Sequence, residues 1–301
     1  MSASFRVTQR GASLGTQSNL QRGISQLQGL QDKLSSGREI SRPSDSPGGT
    51  ASALSLRSDI VRQGQFDRNA NDGGGWLAEA DSTLQSSTQV LRRARDLGLS
   101  AVNGALSQAD REALAVEVDG LRSQLLGLSN STRLGRPLFS GNAVQPTGQP
   151  DVSYDATGNY VGDSGAVIRQ ISEGSSVQVN LTGPTVFGPA GADAFKVLSD
   201  LANNIRTNPS IVASVSIQDL DTAMNRVQTS LATIGARTNQ LETIQSQNAR
   251  NRDNRISSLN DIESIDIAKT TMDLKLQELA YQASLAAAAR VIQPSLMDFL
   301  R

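Results

Sequence analysis

Proline placement constrains this chain more than any other feature. Pro43 and Pro47 stand early and Pro294 late, while the other six prolines all fall between Pro137 and Pro209. None occurs from Thr50 to Arg136 or from Ser210 to Gln293. Proline lacks an amide donor and clashes with the preceding turn, so it breaks helix interiors. Two long proline-free tracts around a proline-rich middle predict helix, insert, helix.

Both tracts carry helical periodicity. Phe66, Ala70, Gly73, Leu77, Ala80, Leu84, Ser87, Leu91, Ala94, Gly98 and Ala101 alternate spacings of four and three, the pattern of a heptad stripe. Seven of these eleven are small, which lets helices approach closely. Gly73-Gly74-Gly75 weakens a helix there by about 1 kcal/mol per residue relative to Ala. A helix from Gly49 to Val102 would be about 80 Å long, too long for one globular core to wrap. Asn103-Gly104 reads as a turn. Ser107 then starts a second helix, with Asp110 and Glu112 in its first turn and a stripe of Leu114, Val118, Leu121, Leu125 and Leu128. In the later tract, Ile217, Leu220, Met224, Val227, Leu231, Ile234, Thr238 and Leu241 keep the same spacing. Polar Gln245, Asn248, Arg252 and Arg255 follow at seam positions. Ile262, Ile265, Ala268, Met272, Leu276, Leu279 and Ala283 form another apolar stretch, and Leu20, Ile24, Leu27 and Leu34 a short stripe near the N-terminus.

The middle, from Phe139 to about Phe195, differs. It holds half of the chain's ten aromatic residues. Val177, Val179 and Leu181 alternate with Gln178 and Asn180, as in a half-buried strand. Ala166–Ser172 precedes them, and Glu173-Gly174-Ser175-Ser176 reads as the link. Val152-Ser153-Tyr154 and Tyr160-Val161 around Thr157-Gly158-Asn159 form a second hairpin candidate. Ala194–Arg206 reads as a short helix. The expected fold class is mainly α, with long helices on either side of a small β insert.

Candidates for chemistry are few. With no His and no Cys, the chain lacks Ser-His-Asp triads, Cys/His zinc sites and disulfides. A net charge of -1 provides no basic excess for phosphate backbones, so no nucleic-acid partner is expected. No run of 18 apolar residues exists, so no membrane insertion is expected. Met1–Arg10 has no apolar h-region, so no cleavable secretory signal is expected. Asp261, Glu263 and Asp266 cluster, but read as a solvated helix face rather than a metal site. Arg92, Arg93 and Arg95 read as a solvated face with a partner contact as the alternative, and Trp76 as bundle packing rather than an interface anchor. Gly11–Gly15 lacks the strand and Lys of a phosphate loop. No catalytic, cofactor-binding or metal-binding residue is assigned, no cofactor is expected, and the chain reads as a non-enzyme. Apolar residues make up 37% of it and aromatics 3%, which favours narrow seams between helices over a thick core. The Gly-rich N-terminal stripe (Gly11, Gly15, Gly23, Gly29) favours a helix that orders on assembly over a closed intramolecular coiled coil.

Several segments resemble the flagellin superfamily, in particular its hook-filament junction branch. Leu30-Gln31-Asp32-Lys33-Leu34-Ser35-Ser36-Gly37-Arg38-Glu39-Ile40 is similar to that family's LQxxLSSGxxI, and Arg42-Pro43-Ser44-Asp45-Ser46-Pro47 to its xPSDDP. Arg92-Arg93-Ala94-Arg95-Asp96-Leu97 resembles QRxREL. Leu134-Gly135-Arg136-Pro137-Leu138-Phe139-Ser140-Gly141 resembles the FSG entry to the insert, departing from it at Pro137 and Leu138. Within the insert, Tyr160-Val161-Gly162-Asp163, Ile171-Ser172-Glu173-Gly174, Val177–Gly183 and Val186-Phe187 resemble the branch's β domain. Tyr281-Gln282-Ala283-Ser284-Leu285 through Pro294-Ser295-Leu296-Met297-Asp298-Phe299-Leu300 resembles YQAxLxxxARxxQxSLxDFL. The match spans nearly the whole chain, and the order of the motifs makes it specific.

The resemblance implies a long antiparallel coiled-coil bundle made from both chain ends with a projecting β domain: residues 1–42 and 262–301 as a terminal coiled-coil domain, 43–137 and 207–261 as a helical bundle, and 138–206 as an outer β-rich insert. It implies an extracellular flagellar adaptor, exported without a cleaved signal peptide. Its partners would be copies of itself in a ring, the other hook-associated junction protein, flagellin and a cytoplasmic export chaperone. A short flagellin forming the filament itself is the alternative. The expected assembly interface is Leu20, Ile24, Leu27, Leu34, Met272, Leu276, Leu279, Leu285, Val291, Leu296 and Leu300. Arg93, Leu97 and Glu117 form a second candidate surface facing a partner.

Overall fold

The computed structural model describes residues 2–102, 106–143 and 151–297, with side chains described over 14–102, 106–143 and 151–289. The expected turn at Asn103-Gly104 lies outside the described residues. In chain order come α1 (Ser2–Ser36), α2 (Pro47–Ala101), α3 (Gln108–Ser129), β1 (Thr132–Arg133), β2 (Arg136–Pro137), β3 (Ile168–Gln170), β4 (Ser176–Gln178), α4 (Gly183–Phe187), α5 (Ala194–Thr207) and α6 (Pro209–Ile211). A π-helical segment (Val212–Ser216), α7 (Ile217–Glu263) and α8 (Ile267–Met297) follow. The fold is mainly α with small antiparallel β elements, β1 on β2 and β3 on β4. No helix among the described residues is long and apolar enough to cross a membrane.

Two compact units result: Arg62–Asn251, and the chain up to Val61 together with the chain from Arg252 on. The first holds the hydrophobic core. All eleven residues of the α2 stripe, Phe66 to Ala101, are buried. Leu84, Leu91 and Ala94 of α2, Val118 and Leu125 of α3, Leu198 and Leu201 of α5, and Leu220 and Val227 of α7 share one apolar cluster. The helix runs unbroken through Gly73-Gly74-Gly75, where the missing side chains admit neighbours. A Cβ at Gly73 would lie 3.0 Å from Val179 Cγ1, and the Arg133 guanidinium lies against Gly75. Trp76 packs into the same cluster, 4% exposed. Burial of this stripe against three helices outweighs the propensity deficit of three glycines, about 3 kcal/mol in sum.

Local signals account for the helix ends. Ser46 caps α2 by accepting the Gly49 amide, with Pro47 at the first helical position, where its missing donor is harmless. The proline-rich motif around Asp45 is therefore a helix start. Ser107 and Asp110 form a capping box on α3, and Asp193 caps α5 through the Lys196 amide.

The β elements share this core. Val177, Val179 and Leu181 are buried as their alternation predicts, but Asn180 is buried too. Its side chain accepts the Val167 amide and donates to the Gly165 carbonyl, which repays its desolvation. The expected hairpin around Gly158 is a single bridge, Tyr154 to Tyr160. Its loop is organised by Asp155, whose carboxylate accepts the Thr157 hydroxyl and the amides of Thr157, Gly158 and Asn159, holding its pKa down at about 2. Phe139, Tyr154, Phe187 and Phe195 stack edge-on beneath it. The polar seam on α7 is answered within the unit: Gln245 donates to Asn71 and Asn248 to the Ile171 carbonyl.

Candidate assembly interface

The unit built from the chain ends has almost no interior. Among its described side chains only Ala53, Thr270 and Ala288 are buried. It is held by polar contacts at the two helix breaks. Glu39 donates its amide to the Glu263 carbonyl at 2.7 Å, and Ile265 donates to Gly37 at 3.3 Å. Arg57 pairs with Glu263 at 2.8 Å, and Arg255 with Asp59. Asp266 caps α8 by accepting the Lys269 amide. The carboxylates of Asp261, Glu263 and Asp266 thus do not converge. Glu263 serves an ion pair and Asp266 a helix terminus, and the solvated face expected at Asp266 is a cap.

Helices α1 and α8 pair along a seam that hydropathy did not reveal. On α1 a half-buried row with heptad spacing runs through Thr16, Leu20, Gly23, Leu27, Leu30 and Leu34. On α8 the row facing it is half-buried Leu274, Gln277 and Tyr281, flanked by buried Thr270 and Ala288. Gln277 donates to Gln26 at 2.8 Å, and Tyr281 lies against Gly23. Leu20, Leu27 and Leu34 sit where the sequence places them, while Ile24 points outward.

Met272 and Leu279 do not face α1, and Leu276 only borders the groove lined by Gln26, Gly29, Leu30 and Lys33. Met272, Leu276 and Leu279 are 63%, 59% and 63% exposed. At about 100° per residue, Met272, Leu276, Leu279 and Ala283 form a stripe on the side of α8 opposite Thr270, Leu274, Gln277 and Tyr281. Leu285 stands beside the α1 seam, still largely exposed. Helix α8 therefore packs a half-polar face on α1 and leaves its more apolar face exposed, and an exposed apolar stripe marks an interaction surface. The side chains of Val291 and Leu296, and all of Leu300, lie outside the described residues.

The second candidate surface is rearranged. Arg93 pairs with Glu117 at 2.6 Å, bridging α2 and α3. Leu97 is 4% exposed inside the core and is not available to a partner. Arg95 binds Asp221 at 2.7 Å, which raises the guanidinium pKa above its usual value. Arg93 and Arg95 thus staple three helices, while Arg92 is exposed, and only the packing of the helices separates these roles.

Because the α1–α8 seam is half polar and nearly coreless, the ends of the purified monomer are expected to be labile. Limited proteolysis should trim roughly the first and last 40 residues and leave a core near residues 43–261. Slow amide exchange across Leu20–Leu34 in dilute monomer is the contrary outcome.

Residues 7–143 match the bacterial flagellin N-terminal helical region. Flagellar hook-associated protein 3 of Salmonella typhimurium is 25% identical over 280 residues, covering 85% of this chain and 87% of that protein. A Bacillus subtilis flagellin is 27% identical, covering 96% of this chain and 97% of its own length. Among solved structures, a flagellar hook-associated protein of Vibrio parahaemolyticus matches with a TM-score of 0.66 at 20% identity, covering 73% of this chain and 100% of that one.

Proposed function

We propose that this chain, which resembles flagellar hook-associated protein 3 within the flagellin superfamily, is a non-enzymatic structural adaptor joining the hook-associated junction to the flagellin filament. The observation that carries the reading is the exposed apolar stripe of α8 in a terminal unit without a core. Such a unit gains little by folding alone and much by packing beside others. In this reading residues 1–42 and 262–301 are the innermost coiled coil, 43–137 and 207–261 the surrounding bundle, and 138–206 the outer insert. The partners are copies of the chain in a ring, the other junction protein on one side and flagellin on the other. The chain reaches its extracellular site through the flagellar export route, in the company of a cytoplasmic chaperone.

A Bacillus subtilis flagellin of nearly equal length supports a second reading, in which the chain is itself a short filament subunit. One experiment separates the two. Deleting the gene should leave hooks without filaments in electron micrographs, with unpolymerised flagellin in the medium. Normal filaments on the deleted cells would end the adaptor reading. Bare hooks, together with this chain abundant along wild-type filaments, would establish the filament-subunit reading.

A further inference from the structure

The β1–β2 hairpin makes two choices that do not help this chain fold. Its two-residue turn is Leu134-Gly135, with φ of 50° at Leu134 and 79° at Gly135. The left-handed region strains a branched side chain, and Asn or Asp is the usual residue there. Leu134 is also 87% exposed, an apolar side chain held out at the tip. The tip is firmly based: Arg133 pairs across the ladder with Arg136, and the Leu138 amide donates to the Ser131 carbonyl at 3.0 Å. Strain and exposure fixed on a rigid base point to a contact made outside the chain.

The charges around the tip state what it would meet. Arg62, Arg93, Arg95, Arg169 and Arg206 of the same unit each meet a carboxylate. The Arg133 and Arg136 side chains meet none among the described residues, and Arg133 Nε is buried without a partner. The complement is an exposed apolar patch beside a carboxylate that forms no ion pair, and the same chain carries one. Ile211 and Val215 are 37% and 48% exposed, and Asp219, four residues on, forms no ion pair among the described residues. Val215 lies within the π-helical segment Val212–Ser216 and Ile211 and Asp219 lie on either side of it, and its wider turn keeps residues four apart on one face.

We propose that the Leu134 tip of one copy docks on the Ile211–Val215–Asp219 face of the next, with Leu134 on the apolar patch and Arg136 on Asp219. The two surfaces differ, so the contact is head-to-tail and closes into a ring when the rotation allows. The inference rests on the ring of copies proposed above.

The absence of cysteine from the chain allows a direct test. Chains carrying Leu134→Cys and chains carrying Val215→Cys are co-expressed in the deleted strain. Detached flagella are then treated with a thiol-to-thiol bismaleimide. A product of twice the chain mass is expected from the mixture and from neither variant alone. If both variants are present in the flagella and no such product forms, or if Leu134→Cys links to a different protein, the contact is overturned alone. If neither variant is found in the flagella, the ring reading falls and takes this contact with it. Charge exchange gives a second readout: Arg136→Glu and Asp219→Arg should each sharply reduce the fraction of filament-bearing cells, and the double variant should restore it. Leu134→Asn should raise the melting temperature of the purified chain by about 3 °C while lowering filament attachment. A fall in melting temperature, or no rescue by the double exchange, contradicts the proposal.

Discussion

Replacing Leu279 with Asp is expected to leave the purified chain folded and to abolish filament attachment. Leu279 is 63% exposed on the side of α8 turned away from α1. In the monomer a carboxylate there stays in water and the variant should melt like the parent. In an assembly that covers this face, the same carboxylate is buried without a counter-ion. That penalty is several kcal/mol, roughly 3–5, and each 1.4 kcal/mol weakens association tenfold. The matched control is Asp266→Asn. Asn caps a helix about as well as Asp, so the Lys269 amide keeps its acceptor and motility should be nearly normal. The measurements are motility and the melting temperature of the purified chain. A swimming Leu279→Asp strain, or a Leu279→Asp chain that fails to fold, would remove this face from the assembly interface.

Replacing Gly141 with Val is expected to have the opposite profile, destabilising the chain before any assembly. Gly141 closes the Phe139-Ser140-Gly141 motif with φ of 73°, a conformation that β-branched residues rarely adopt. A Cβ there would stand 2.5 Å from the Asp163 carbonyl oxygen and against its carboxylate. The Asp163 segment cannot yield easily. Its amide donates to Ser140 at 2.9 Å, and its carboxylate accepts the Asn142 and Gly165 amides. Left-handed strain and overlap together are worth about 3 kcal/mol, a fall of roughly 6–12 °C in melting temperature. Gly174→Ala, at the β3–β4 turn where nothing lies within 4 Å, is the control. Equal melting temperatures for the two variants would refute this account of the motif.

These two positions mark how far the chain could be read without its fold. Gly141 was visible as part of a motif, but its partner Asp163 was not, because the contact joins residues 22 apart through a turn that no periodicity announces. Leu279 was visible as apolar, but its direction was not.

Local rules with short range were legible in the residue order. Proline placement separated α1 from α2 and marked off the insert, since a residue without an amide donor disfavours a helix interior, but the breaks between α2 and α3 and between α7 and α8 fall in proline-free tracts and α8 runs through Pro294. The 3–4 spacing in α2 identified its buried face residue by residue, because that helix packs against a complete set of apolar neighbours and hydrophobicity alone orients it. Ser107 and Asp110 announced a helix start through hydrogen bonds that close within three residues. In α8 the same logic has two solutions. Met272, Leu276 and Leu279 make the more apolar stripe, yet α1 packs on Thr270, Leu274, Gln277, Tyr281 and Ala288. The backbone pairing at Gly37–Glu39 with Glu263–Ile265 sets where α8 begins and how it is rotated, so long-range hydrogen bonds rather than hydropathy select the inner face. Arg95 and Leu97 show the same division. Both lie in one motif of α2, but the positions of α5 and α7 send Leu97 into the core and bring Asp221 to Arg95. Which side chains remain for a partner is a property of the packed helices, because exposure is whatever the neighbouring elements leave uncovered.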